Sequence, residues 1–138
     1  MTLRYLGDSI AAARRAGIET AMADIATEMP VAEGAIVGAQ YWPHARVLVA
    51  KIEASDALKS LLKRLEAEAQ ACGFAKERAQ TAHITLAYLP LGAPPPALPD
   101  LAAVATALRI DRTDLLQTAP GGYMSLASWP FAPGTTPA

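Results

Sequence analysis

The pattern Thr-Leu-x-Tyr-Leu occurs twice, as TLRYL at residues 2–6 and TLAYL at residues 85–89, 83 positions apart. Both copies alternate and favour β structure, so each reads as a strand. A spacing this long does not fit a solenoid repeat, where units recur every 20–50 residues or so. It fits a duplicated lobe. Two related strands must therefore be accommodated in 138 residues, a length that suggests one domain. Hydrophobic residues make up 52% of the chain, enough for a core, although much of this is alanine and aromatics are only 6%.

The elements around the repeats follow from periodicity. The first strand closes at Gly7-Asp8, and Asp8 or Ser9 caps a helix running to about Glu28, with Ile10, Ala13, Ile18, Ala21, Met22 and Ile25 near helical spacing. Pro30 stops it. A strand is expected over residues 32–41, with bends at Gly34 and Gly38, then a turn at Trp42-Pro43-His44. RVLVAKI, residues 46–52, is the most strand-like run. Ser55 caps a strongly amphipathic helix to about Cys72, with Leu58, Leu61, Leu62, Leu65 and Ala69 on one face and Gly73 as its stop. Next come the strand at 82–89, a proline-rich crossing loop at 91–99 and a short helix at about 100–106. Strands at 107–117, broken near Arg112, and 123–129 complete the order.

This order predicts an α+β fold of two similar lobes, each an antiparallel sheet with helices on the outside, flanking a central groove. Each half of the sequence is expected to supply one lobe. The expected unit is a single bilobal domain over residues 1–131, with a flexible tail at 132–138.

Charge and cysteine narrow the function classes. The net charge is −1, so no general attraction to polyanions is encoded, and a nucleic-acid role needs a local site. One cysteine excludes an internal disulfide. Cys72, on the apolar face of the second helix, reads as core rather than nucleophile. Two histidines and one cysteine without local ligand spacing argue against a zinc site, and no metal or other cofactor is expected. No run of about 18 apolar residues and no signal peptide is present, which leads us to expect a soluble, cytoplasmic protein with no membrane partner.

The chemistry lies in the residues around the repeat. On a strand, His83 and Thr85 point to one side while Ile84 and Leu86 point to the other. An imidazole and a hydroxyl are thus presented together. Two such strands side by side make a cleft for acid–base work on a phosphate, with imidazoles moving protons and hydroxyls holding non-bridging oxygens. In the first copy the hydroxyl is Thr2, with Arg4 on the same face, but the position matching His83 falls one residue before Met1.

The paired patterns, their offset and the helix before His83 resemble the two-histidine (2H) phosphoesterase superfamily, in its branch of 2′-5′ RNA ligases and RNA 2′,3′-cyclic phosphodiesterases. The resemblance covers MTLRYLGD, RVLVAKI, the helix SDALKSLLKRLEAEAQACGF, TAHITLAYLP and the closing GGYMSLASWPF. It implies a metal-independent phosphodiesterase for 2′,3′-cyclic phosphates or other 2′-linked phosphodiesters on RNA ends or small nucleotides, with reverse joining to a 2′-5′ bond. It also implies His83, Thr85 and Thr2 as catalytic residues. The missing histidine leads us to expect a sequence that starts at an internal methionine. The alternatives are a tag ahead of Met1, or a chain that lacks the proton-transfer pair and binds nucleotide phosphate without cutting it.

Other residues carry two readings each. Arg4 is a phosphate clamp or an exposed edge charge. Tyr123 reaches the groove from the last strand or is a half-buried strand aromatic. His44 replaces the missing base or is an exposed turn residue. Tyr41, Trp42 and Trp129 stack on bases or pack at the core and rim. Gly121-Gly122 reads as a hairpin turn rather than a phosphate loop.

Overall fold

A computed structural model describes residues 1–77, 81–101 and 107–132. Two helices and six strands follow in the order α1 (Ala12–Glu28), β1 (Ala32–Trp42), β2 (Val47–Ala54), α2 (Asp56–Ala71), β3 (His83–Tyr88), β4 (Ala107–Ile110), β5 (Arg112–Ala119) and β6 (Gly122–Pro130). The fold is α+β, with an antiparallel four-stranded sheet of order β3-β2-β1-β4 and a separate β5-β6 hairpin.

Local chemistry sets α2. Its first turn is capped by Ser55, whose hydroxyl accepts the Leu58 N–H at 3.2 Å. At the other end Gly73 adopts φ 92°, Gly73 N–H bonds to Gln70 O and Phe74 N–H to Ala69 O, each at 3.0 Å. That pair of bonds is a Schellman stop, and it swings Phe74 into the core. Leu58, Leu61, Leu65 and Ala69 form the buried stripe, packed with Ile18, Met22 and Ile25 of α1 and Ile52 of β2. The helices cross closely at Gly17, where an added Cβ would stand 3.1 Å from Cys72 Sγ. α2 lies against β1 and β2, while α1 lies against β5 and β6. Each sheet thus has its own helix.

The lobes are not halves of the sequence. β2, already paired with β1, takes β3 from the second half on its other side, and β4 closes the same sheet against β1. The chain leaves that sheet at Asp111, between β4 and β5, where the expected break near Arg112 occurs; Asp111 O accepts the Phe131 N–H at 2.8 Å. The hairpin turns through Pro120-Gly121, with Gly121 at φ 82° as a type II turn requires.

Residues 2–6 are not a strand. No backbone ladder holds them. Leu3, Leu6 and Ile10 pack on the core, and Arg4 is bound by α2. The first helix also begins at Ala12 instead of Asp8 or Ser9, with no side-chain cap. Residues 102–106 of the expected short helix lie outside the described residues, and residues 100–101 carry no regular structure. Ala132, the first residue of the expected tail, is tied down by a bridge to Pro30 and a 3.2 Å bond to Ala26 O; residues 133–138 lie outside the described residues. Among the described residues no helix is long and apolar enough to cross a membrane.

Candidate functional site

β3 displays His83 and Thr85 because its partners are in register for it. Lys51 of β2 stands opposite His83 and Val49 opposite Thr85, while Ala50 faces Ile84 on the core side. On the next strand Gly38 pairs with Lys51 and Gln40 with Val49. One face of the four-stranded sheet therefore carries His83, Thr85, Lys51, Gly38 and Gln40, and helix α2 packs on the other. Trp42 belongs to the same face. Its indole meets the His83 ring edge-on, with centroids 4.5 Å apart, and its Nε1–H donates to Gln40 Oε1 at 2.9 Å. Val49 beneath them is fully buried.

A single contact orients the His83 ring. Its Nδ1 lies 2.7 Å from Thr81 O, and a carbonyl can only accept, so Nδ1 carries the hydrogen. In the neutral ring Nε2 is then the free base nitrogen. His83 and Thr85 are half-buried, open to a ligand from one side. A bulge follows them: Thr85 pairs with Val49 but Ala87 with Leu48, leaving Leu86 as the extra residue. This extra residue turns Tyr88, 75% exposed, onto the His83 face, where strict alternation would have put it on the other side.

The residues of the first copy lie elsewhere. Thr2 lines a cavity of about 1160 Å³ between residues 1–10 and the β5-β6 hairpin, together with Tyr123, Gln117 and Thr118. His83 and Thr85 do not line it. Arg109 does, and Arg109 pairs with Glu33 on the same sheet face that carries Lys51 and His83. The cavity thus borders that face at its β4 edge, with His83 at the β3 edge.

Arg4 also lines this cavity, but its guanidinium is taken up by structural partners. Its Nε lies 2.7 Å from Glu66 Oε2 and 3.4 Å from Glu77 Oε2, and Nη2 donates to Ala75 O at 2.6 Å. The side chain is only 8% exposed. Arg4, with the Glu77 N–H and Gln70, holds the Glu66 carboxyl down at about 2. Next to it the Tyr5 hydroxyl donates to Asp8, which holds the phenol above its ordinary range. Arg4 as a phosphate clamp is therefore a reading the geometry does not support.

Of the remaining candidates, His44 sits in the exposed β1–β2 turn. Trp129 packs against the core. Tyr41 points away from the His83 face, since it alternates with Gln40 and Trp42. Among the described residues no three His, Cys, Asp or Glu side chains converge as a metal site would require. Lys51 and Tyr88 were missed by sequence reasoning. Lys51 had a signal, as a charge set between the apolar residues Ala50 and Ile52 of the most strand-like run. Tyr88 had none, because a bulge cannot be read from alternation.

A half-open sheet face of an α+β protein thus bears an imidazole, a hydroxyl and an ammonium, beside a second sheet. A family model described as LigT-like phosphoesterase matches residues 50–122, just over half of the chain, including Lys51, His83 and Thr85. The chain belongs to this family. Among solved structures it is similar to one described as a phosphoesterase (TM-score 0.73, 20% identity, covering 94% of this chain and 74% of that one). It is also similar to Escherichia coli LigT with 3′-AMP (TM-score 0.69, 21%, 94% and 74%) and to a protein of Thermus thermophilus (TM-score 0.70, 20%, 96% and 77%). At these identities the structural likeness concerns the fold. E. coli LigT has also been solved with phosphate, NADP⁺ and ATP. None of the curated proteins matches the chain.

Proposed function

We propose that the chain is a metal-independent phosphodiesterase that opens 2′,3′-cyclic phosphates, or cleaves other 2′-linked phosphodiesters, on RNA ends or nucleotides, and that it runs the reverse 2′-5′ joining under favourable concentrations. The observation that carries this reading is that His83, whose Nε2 has no hydrogen-bond partner among the described residues, shares one open sheet face with the Thr85 hydroxyl. His83 exchanges a proton with the attacking water or with the leaving ribose oxygen. Thr85 donates to a non-bridging oxygen, where charge builds up as the phosphorus–oxygen bond breaks. Membership of the phosphoesterase family and the nucleotides bound by E. coli LigT support a nucleotide substrate. Thr2 and Tyr123 line the cavity at the far edge of the same face, and we assign them to the part of the substrate beyond the reacting phosphate.

The test is hydrolysis of a dinucleotide ending in a 2′,3′-cyclic phosphate, in EDTA. Turnover is expected, with a loss of roughly 10²–10⁴-fold in His83→Ala. An unchanged rate in that variant contradicts the mechanism. A second reading is favoured by the position of His44, the only other histidine, in an exposed turn. It is a module that binds nucleotide or RNA phosphate without cutting it. It predicts binding of a nucleoside 2′-monophosphate that Thr85→Val weakens, with no turnover at high protein concentration.

A further inference from the structure

The row of residues across the sheet at the level of His83 runs from an imidazole to an ammonium to bare backbone: His83, Lys51, Gly38. The spacing within that row follows from the ladder. Ile52 N–H bonds to Ala82 O at 2.9 Å, so residues 52 and 82 form a hydrogen-bonded pair. Pair types alternate, which makes Lys51 and His83 a non-hydrogen-bonded pair, the closer kind, with Cα atoms about 4.5 Å apart. Their side chains rise together from the same face. On the other flank of Lys51, a Cβ added at Gly38 would meet nothing within 4 Å, so no side chain fills the space over Gly38. Lys51 makes no ion pair or hydrogen bond among the described residues, although Glu53 lies two residues along on the same face. A half-buried cation without a carboxylate partner, beside an imidazole and above an empty floor, is suited to an anion that arrives from solution.

We propose that Lys51 is a substrate-binding residue that holds a non-bridging phosphate oxygen between His83 and Gly38, and that it gives this chain its preference for phosphate-bearing over neutral ligands. The assignment rests on the phosphodiester reading of the same face. It goes further by naming a group outside the His-x-Thr motif. Lys51 takes no proton in the reaction. Its ammonium lowers the energy of bound substrate and transition state alike, so its loss raises KM more than it lowers kcat.

The experiment compares wild type, Lys51→Met, Lys51→Gln and Lys51→Arg, each with its melting temperature measured so that unfolded variants are set aside. Affinity for inorganic phosphate and for a nucleoside 2′-monophosphate is read by calorimetry at two salt concentrations. Steady-state hydrolysis of the cyclic-phosphate dinucleotide is read alongside. The expected result is roughly a 10-fold or greater loss of affinity in the folded neutral variant, a matching rise in KM, a shallower salt dependence and substantial recovery in Lys51→Arg. Equal phosphate affinity in wild type and a folded neutral variant overturns the proposal, as does a wild type that binds no phosphate. The two ideas fail separately. Phosphate affinity that depends on Lys51 without any turnover removes the enzyme and keeps the anion site. Turnover that depends on His83 but not on Lys51 does the reverse.

Discussion

The same five-residue pattern takes two different structures in one chain. Residues 85–89 lie largely in β3, bonded to β2 and closing the edge of a four-stranded sheet. Residues 2–6 have equal strand propensity and form no ladder; their place is set by Leu3 and Leu6 on the core and by Arg4 clamped between Glu66, Glu77 and Ala75 O. β propensity describes a side chain suited to a pleated, half-buried surface, and it acts only where a neighbouring strand is available. In β3 the ladder also aims chemistry, since it puts His83 over Lys51 and Thr85 over Val49. In residues 2–6 the anchoring side chains position Thr2 without any ladder to fix its direction.

The largest expected effect breaks the comparison at its chemical end. His83→Ala lowers the rate of cyclic-phosphate hydrolysis by roughly 10²–10⁴-fold, while Thr2→Val, on the copy without a ladder, costs far less; steady-state rates of both variants check this. The second breaks it at its structural end. Arg4→Ala removes the charged bonds that hold the first copy, so the side-chain NMR signals of Leu3 and Tyr5 shift and narrow while those of β3 keep their places. The accompanying loss of global stability is roughly 1–3 kcal/mol in a denaturant titration.

Acid sharpens the same contrast. The Glu66 carboxyl is held at about 2 against an ordinary 4.5. A lowered folded value means the contribution is complete above about 4.5 and is lost as pH falls through 2. The side-chain NMR signals of Tyr5 are therefore expected to report loosening across that window, and Glu66→Gln to abolish the transition. The smallest effect lies in the helix that both regions use. Ser55→Ala removes the α2 cap and costs about 1 kcal/mol in thermal or denaturant unfolding, without changing which copy carries the chemistry.

Much of this was legible in the residues. The Ser55 cap, the stripe from Leu58 to Ala69 and the Gly73 stop marked α2 closely, because each is a local physical requirement. His83 and Thr85 were placed on one side of a strand by alternation alone. What remained hidden depends on partners. Periodicity tells which face a strand buries and says nothing of which strand lies beside it, so the pairing of β2 with β3 and of β1 with β4, and the change of sheet at Asp111, were not readable. For the same reason Lys51 became a neighbour of His83 only through register. Arg4 looked like a groove residue because its strand was assumed; its real partners are 62 and 73 positions away.

The central claim is that phosphate is handled on the His83 face of the sheet. A crystal structure with a bound nucleoside 2′-monophosphate tests it most directly. The account predicts phosphate oxygens within hydrogen-bond distance of His83 Nε2 and the Thr85 hydroxyl. A nucleotide whose phosphate sits among Thr2, Gln117 and Tyr123, with the His83 face empty, contradicts it.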